Sequence, residues 1–142
     1  MLKGISPIIS PELIKILMEM GHGDELVIGD GNFPAASMAQ RLVRLDGHGV
    51  PEILDAILRL YPLDSYVDAP VKLMQVTPGD DVVPVIWEKY KAIVEKHAGK
   101  VQFEEIERFA FYERAKTAYC VVATGETALY ANIILKKGVV VE

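Results

Sequence analysis

The sequence predicts an α/β fold, a single-domain three-layer α/β/α sandwich with a mixed, largely covered sheet. Segments with helical spacing of apolar residues alternate along the chain with short apolar runs typical of strands. These runs carry few polar residues, as expected of strands that are covered on both faces. At 142 residues the chain can bury about two thirds of its unfolded surface. We therefore expect one domain over residues 1–142, with no internal repeat and no linker.

Three helices are predicted from apolar spacing and from flanking residues. The first begins after Ser10, a favourable N-cap that precedes a proline, and ends at Gly21. The second is expected over Glu52 to Tyr61, and the third between Pro84 and Gly99.

Four strands are predicted, and one segment is ambiguous. The strands are Leu26 to Ile28, Val71 to Thr77, Tyr119 to Ala123 and Tyr130 to Leu135. Between about Glu105 and Ala118 helical and strand patterns compete. The spacing of Phe109, Tyr112 and Ala115 favours a helix with these three side chains facing inward.

Composition excludes several classes of protein. The net charge of -5 argues against a nucleic-acid partner, because binding phosphates needs a basic surface. No apolar run approaches the ~20 residues of a membrane span. The single cysteine, Cys120, permits no internal disulfide and is expected to be a structural thiol. We expect a soluble, cytoplasmic protein.

No metal or cofactor signature occurs in the sequence. Its three histidines, His22, His48 and His97, are scattered, and no dinucleotide fingerprint or P-loop is present. His48 and His97 are assigned to structure or solvent. The predicted cofactor set and metal set are both empty.

The stretch from Gly21 to Pro34, GHGDELVIGDGNFP, places an ionisable residue in a glycine setting at each end of a short strand. His22 follows a helix end, and histidine can give or take a proton near neutral pH. It is equally suited to capping that helix. Asp30 either binds a polar ligand or accepts hydrogen bonds from its own turn.

Two further segments suggest a site for a polar ligand. In a strand, Tyr130 and Asn132 would share one face, where a phenol ring and an amide suit the binding of a sugar. Arg108 offers several rigid hydrogen-bond donors. The alternatives are an ordinary strand and a charge on a helix surface, and these residues alone name no reaction.

Several segments together resemble a known family. They are Ile5-Ser6-Pro7, Ser10 to Leu13, Met20 to Glu25, Asp30 with Phe33-Pro34-Ala35, Leu63 to Tyr66, Arg108 to Ala115, Thr124-Gly125-Glu126 and Tyr130 to Val139. With them the chain resembles the fucose mutarotase and ribose pyranase family nearly end to end. The blocks at 63–66 and 108–115 are similar to the fucose branch.

The resemblance implies an isomerase that interconverts the α and β anomers of a monosaccharide, without a cofactor, in a decameric homo-oligomer. It implies His22 as the proton donor. It also implies substrate binding by Asp30, Arg108 and the segment Tyr130-Ala131-Asn132. Gly31-Asn32 and Ala36 depart from the pattern expected of the fucose branch.

Three functions therefore stay open: L-fucose mutarotase, D-ribose pyranase or a broad monosaccharide mutarotase, and a non-catalytic sugar-binding subunit of an assembly.

The spacing of His22 and Asp30 leaves two arrangements of the site open. An extended chain would separate His22 from Asp30 by up to ~26 Å. Either the chain folds back around Gly23 and Gly29, or the two residues serve different sites across an interface.

Overall fold

A computed structural model describes the whole chain, residues 1–142. Its elements are five helices and six strands. In chain order they are α1 (Pro11–Glu19), β1 (Glu25–Gly29), α2 (Ala35–Met38), β2 (Leu42–Leu45), α3 (Val50–Leu58), β3 (Val71–Met74), α4 (Ile86–Ala98), β4 (Phe103–Ile106), α5 (Arg108–Thr117), β5 (Cys120–Thr124) and β6 (Ile133–Lys136).

The six strands form one mixed sheet in the order β2-β5-β1-β6-β3-β4. β6 runs antiparallel to both of its neighbours, β1 and β3, whereas the other three pairings are parallel. In the β1–β6 pairing, Glu25 lies opposite Lys136 and Ile28 lies opposite Ile133. The start of β1 and the end of β6 therefore lie side by side, at the same end of these two central strands.

Apolar side chains of the central strands alternate between two cores, one on each face of the sheet. In β1, Leu26 and Ile28 join the larger core with α1, α3 and α4, while Val27 joins the smaller core with α2 and α5. Successive strand residues point to opposite faces, so a strand with no polar face needs cover on both. The predicted three-layer α/β/α sandwich with a mixed, covered sheet is confirmed.

The first helix forms as predicted. The Ser10 hydroxyl accepts a hydrogen bond from the Leu13 N–H at 3.1 Å, and the helix ends before Met20. α3 lies two to three residues upstream of the predicted range, because Gly49 rather than Pro51 precedes its first turn. The short elements α2, β2 and β4 were not predicted, since four residues are too few to show a clear period.

The ambiguous segment forms both elements, β4 and then α5, and its predicted inner face was partly wrong. Ala115 is buried as expected, but Phe109 is exposed and Phe111 is fully buried in its place. Phe111 and Ala115 are four residues apart and therefore share a helix face. Phe109 is two residues from Phe111, about 200° around the helix, and points away from the sheet.

The last strand is shorter than predicted, because β6 begins at Ile133 rather than at Tyr130. Tyr130 has a positive φ of 55°, in the left-handed region that strands do not use. The Trp87 Nε1–H and the Tyr90 hydroxyl donate hydrogen bonds to the carbonyls of Tyr130 and Ala131 at 2.8 and 2.7 Å. The prediction that Tyr130 and Asn132 share a strand face was therefore wrong.

Cys120 lies in the larger core and is fully buried. Burial raises the pKa of its thiol to about 12, as befits a structural residue. No helix of the protein combines the length and apolar composition that crossing a membrane would require. No group of three or more His, Cys, Asp or Glu side chains is arranged to hold a metal ion.

Candidate active site

A cleft of about 260 Å³ opens where β1 ends and β6 begins. This is slightly below the ~300–1,000 Å³ usual for small-molecule sites. Its lining combines charged, amide, phenol and apolar groups. The lining residues are Asp30, Asn32, Phe33, Met74, Thr77, Asp80, Arg108, Tyr112, Leu129, Tyr130 and Asn132.

Asp30 follows the last residue of β1 and is buried at the base of this cleft. Its Oδ1 accepts a hydrogen bond from the Asn32 N–H at 3.0 Å, and its Oδ2 accepts one from the Ala131 N–H at 3.4 Å. Burial raises the pKa of this carboxyl more than these N–H groups lower it, and the nearby Glu126 carboxylate adds to the rise. Asp30 therefore accepts a hydrogen bond from its own turn, as one reading predicted, and it also lines the cleft; that it binds a ligand stays a prediction.

Asn132 fixes the other side of the base. Its side-chain oxygen accepts a hydrogen bond from the Asp30 N–H at 2.8 Å, so the two segments hold each other. Ala131, between Asn132 and Tyr130, has a fully buried side chain and meets Asp30 through its backbone N–H. Ala131 therefore shapes the site through its backbone alone.

The ring of Tyr130 lines the cleft. Its hydroxyl is held by the loop over residues 77–80, which the sequence analysis did not assign to the site. The hydroxyl donates to Asp80 Oδ2 at 2.6 Å and accepts from the Thr77 N–H at 3.3 Å. The hydrogen bond with Tyr130 lowers the pKa of Asp80. Thr77 and Asp80 were missed because Thr-Pro-Gly-Asp is an ordinary turn sequence and nothing local connects it to Tyr130.

Arg108 enters the cleft from the first residue of α5. Its Nε–H donates to the Tyr112 hydroxyl at 2.9 Å, and its guanidinium carbon lies 5.4 Å from the ring centres of Phe109 and Tyr112. These contacts orient a side chain that is otherwise exposed. Its remaining N–H groups form no hydrogen bond within the chain and can donate to a ligand.

The glycines around Asp30 allow close packing rather than a bend. A Cβ on Gly29 would lie 2.7 Å from the Cβ of Phe33, so only glycine lets Phe33 fold back against the strand end. By contrast, Gly23 has a φ of +89° and does turn the chain, directly after His22.

His22 lies at the opposite end of β1, outside the cleft. The four residue steps of β1, at about 3.3 Å each, alone separate the two ends by about 13 Å. The imidazole Nε2 lies 3.0 Å from Asp64 Oδ1, and the ring centre lies 5.2 Å from that of Tyr66. The chain does not fold back, so one copy does not bring His22 to Asp30.

Four of the five predicted binding residues, Asp30, Arg108, Tyr130 and Asn132, thus line one cleft, and Ala131 supports it from behind.

Comparison with known proteins assigns the chain to a family. The pattern of the RbsD / FucU transport protein family matches residues 3–140. The chain belongs to the RbsD / FucU family.

Within that family, the chain is similar to proteins associated with fucose. It is 56% identical to an L-fucose mutarotase of Actinobacillus pleuropneumoniae over 98% of this chain and 97% of the relative. A crystal structure of the fucose mutarotase in complex with L-fucose from Streptococcus pneumoniae is 57% identical, with a TM-score of 0.94 over 99% of this chain and 100% of that one. A Bacillus subtilis RbsD complexed with D-ribose is 22% identical with a TM-score of 0.72 over 99% and 100% of the two chains, and shares the fold.

Stability should depend on pH through Asp30. Because burial raises the pKa of Asp30, the folded state holds this proton more tightly than the unfolded chain does. That stabilisation is fully present below the unfolded value of about 3.9 and is lost as the pH rises through the higher folded value. Relative to Asp30→Asn, the free energy of unfolding of the wild type should therefore fall as the pH rises above about 4. Urea unfolding of both proteins over a pH series measures this. If the unfolding free energy of the wild type minus that of Asp30→Asn stayed constant or rose with pH, the prediction would be contradicted.

The hydroxyl of Tyr90 should support the cleft from the opposite face of the sheet. Tyr90→Phe leaves the buried Ala131 carbonyl without its donor and should cost about 1–3 kcal/mol of unfolding free energy. Tyr61→Phe is a matched control. The Tyr61 hydroxyl donates a 2.9 Å hydrogen bond to the Leu135 carbonyl, and neither residue lines the cleft. Calorimetric titration with L-fucose should show weaker binding, by about fivefold, for Tyr90→Phe alone. Equal binding by both variants would show that this hydrogen bond does not shape the cleft.

Proposed function

We propose that this protein is an L-fucose mutarotase, an isomerase that interconverts the α and β anomers of the free sugar. The observation that carries the proposal is a single cleft containing Asp30, Arg108, Tyr130 and Asn132, in a chain 56% identical over nearly its full length to an L-fucose mutarotase. The substrate is a monosaccharide, and we expect the enzyme to act in the cytoplasm.

The groups of the cleft suit a sugar. The Asp30 carboxylate accepts hydrogen bonds from hydroxyls, and the free N–H groups of Arg108 donate to hydroxyl oxygens. The ring of Tyr130 covers C–H groups of a pyranose. Burial removes water from the Asp30 carboxyl and thereby raises its pKa. A hydroxyl bound there would replace part of the lost hydration.

Apolar groups in the same cleft favour fucose over ribose. Met74 and Leu129 line it beside the polar groups. L-fucose is a 6-deoxy sugar whose methyl group can bury apolar surface there, whereas ribose has no such methyl. One methyl in an apolar pocket is worth about 1–3 kcal/mol of discrimination, so a preference for fucose and slower turnover of ribose are expected.

Mutarotation moves two protons. The anomeric hydroxyl loses one and the ring oxygen gains one as the ring opens; the aldehyde then turns, and closure reverses both transfers. A positioned acid or base contributes about 10²–10⁴-fold to such a step. We assign the donor role to His22, as the resemblance to the family implies, and histidine is a residue that exchanges protons near neutral pH.

His22 reaches the sugar only if a neighbouring copy supplies it, since His22 and Asp30 lie at opposite ends of β1. The sites would thus lie between subunits of a homo-oligomer, for which we expect a decamer. Four exposed apolar side chains support such an interface. Leu129 lines the cleft, Phe109 follows the cleft residue Arg108 in sequence, and Val83 and Val85 follow the cleft residue Asp80 by three and five positions. Apolar patches on a protein surface are typical of sites that bind another protein.

Saturation-transfer NMR on the anomeric protons of L-fucose tests the proposal. The wild type should transfer magnetisation between the α and β signals, and His22→Ala should lose most of this transfer, by about 10²-fold or more. Asp55→Asn, remote from the cleft, is the control and should exchange at the wild-type rate.

The same experiment with D-ribose separates the alternatives. Faster exchange of ribose than of fucose would assign the enzyme to the ribose branch, and comparable rates would indicate a broad mutarotase. Sugar binding by the wild type without exchange of either sugar would contradict the enzyme and favour a non-catalytic sugar-binding subunit.

A further inference from the structure

The hydroxyl of Tyr130 lies between the cleft and an exposed carboxylate, that of Asp80. It donates a hydrogen bond to Asp80 Oδ2 at 2.6 Å and accepts one from the Thr77 N–H at 3.3 Å. All three residues line the cleft. Asp80 is exposed, whereas Tyr130 is half-buried. A hydrogen-bonded path therefore leads from the cleft to the protein surface.

The loop over residues 77–82 holds this carboxylate in place. The Asp80 N–H donates a hydrogen bond to the Thr77 carbonyl at 3.0 Å, which closes a turn. Asp80 Oδ1 accepts a hydrogen bond from the Val82 N–H at 3.1 Å, and Oδ2 is left for the Tyr130 hydroxyl. Both oxygens of the carboxylate therefore have a defined partner, which fixes the orientation of the side chain.

Asp80 is ionised at neutral pH. The hydrogen bond from Tyr130, followed by that from the Val82 N–H, lowers the pKa of its carboxyl. An ionised carboxylate accepts hydrogen bonds and donates none, so the hydrogen between the two side chains belongs to the phenol. The phenol oxygen also accepts from the Thr77 N–H and has one acceptor site left. Tyr130 can therefore accept a hydrogen bond from a sugar hydroxyl while its own hydrogen stays on Asp80.

Arg108 places a positive charge at the same cleft. Its hydrogen bond with Tyr112 is the main cause that raises the pKa of its guanidinium, and attraction to ionised Tyr130 adds to the rise. By the same attraction, the guanidinium stabilises negative charge that develops on the Tyr130 oxygen. The phenol thus has a base on one side and a cation nearby, which are the two groups that help it to pass on a proton.

A second tyrosine–carboxylate pair in the chain, Tyr119 with Glu19, lacks this setting. Its two oxygens lie 2.7 Å apart, a distance similar to that between Tyr130 and Asp80. However, the Glu19 carboxylate also binds Lys15 at 2.8 Å, and neither member of the pair lines the cleft. A tyrosine–carboxylate hydrogen bond is therefore not in itself a functional feature; its position at the cleft distinguishes the Tyr130 pair.

We propose that Tyr130 takes the proton of the anomeric hydroxyl and that Asp80 is the positioning residue that holds the phenol as an acceptor and receives the phenol proton in turn. This rests on the proposed function. In the opening step the anomeric O–H proton passes to the Tyr130 oxygen while the phenol proton passes to Asp80 Oδ2. The C=O bond forms at C1 as the bond from C1 to the ring oxygen breaks. The ring oxygen keeps that electron pair and takes a proton from His22, and closure reverses each transfer.

Asp80→Asn separates a proton acceptor from a purely structural contact. The amide oxygen can still accept a hydrogen bond from Tyr130, but the amide does not take up a proton. Anomer exchange of L-fucose should therefore slow by about 10²-fold, whereas the dissociation constant from calorimetric titration should stay within about threefold of the wild-type value. Asp81→Asn is the matched control, because Asp81 is the next residue of the same loop and is also exposed. It should exchange fucose at the wild-type rate.

Two further measurements test whether Asp80 acts through the phenol. In a Tyr130→Phe protein, adding Asp80→Asn should change the exchange rate by no more than about twofold, because the relay is already broken. In Asp80→Ala, added formate can supply the missing carboxylate at this exposed position. Formate should then raise the exchange rate at least about tenfold above the rate with formate and no protein. It should not do so in Tyr130→Phe.

Three results would overturn the proposal. They are wild-type exchange by folded Asp80→Asn, equal losses in Asp80→Asn and Asp81→Asn, and losses in Asp80→Asn and Tyr130→Phe that multiply in the double variant. Should Asp80→Asn fail to fold, the absence of formate rescue in Asp80→Ala would overturn it as well. A wild type that exchanged no fucose would instead refute the proposed function, and the relay with it.

Discussion

The antiparallel course of β6 between β1 and β3 is the constraint on which the rest of the structure depends. At its start, Asn132 and Ala131 hold Asp30 through hydrogen bonds of 2.8 and 3.4 Å and so form the base of the cleft. At its end, the backbone from Lys136 onward holds the turns that carry His22 and Asp64. β6 pairs residue by residue with β1 as a regular strand, so its two ends stay apart within one copy of the chain.

This separation divides the chemistry of the proposed enzyme between two rigid places. The residues proposed to bind the sugar, Asp30, Tyr130 and Arg108, lie where β1 ends. The proposed proton donor lies where β1 begins, on a histidine that pairs with a buried carboxylate. Sites formed between copies would then be completed by assembly, and each copy would contribute one half to each of two sites.

Local signals in the sequence were sufficient where a residue acts on its near neighbours. The N-cap Ser10, the covered strand around Val27 and the helix ending near Gly99 all formed as predicted, because caps and apolar runs report on adjacent backbone. The three-layer fold followed from their alternation. Grouping Asp30, Arg108 and Asn132 in one cleft required the resemblance to a known family, since no local pattern links residues so distant along the chain.

Other features depended on tertiary contacts that the sequence does not display. Tyr130 leaves the strand because Trp87 and Tyr90, on the far side of the sheet, hold the carbonyls of 130 and 131. Phe111 replaces Phe109 in the core because it packs against Phe33, with ring centres 5.8 Å apart. Asp64 lies in the Leu63–Tyr66 block that resembles the family, but nothing local connected it to His22, which lies 42 residues away.

We propose that a complete site needs His22 from one copy and the cleft from another. The most direct test is anomer exchange by oligomers assembled from equal amounts of His22→Ala and Arg108→Ala, two variants that should each be nearly inactive alone. Random mixing would pair an intact His22 with an intact cleft at about one quarter of the sites, so about one quarter of the wild-type rate should return. If the mixed oligomers stayed as inactive as either variant alone, each site would draw both residues from a single chain, and the account would be contradicted.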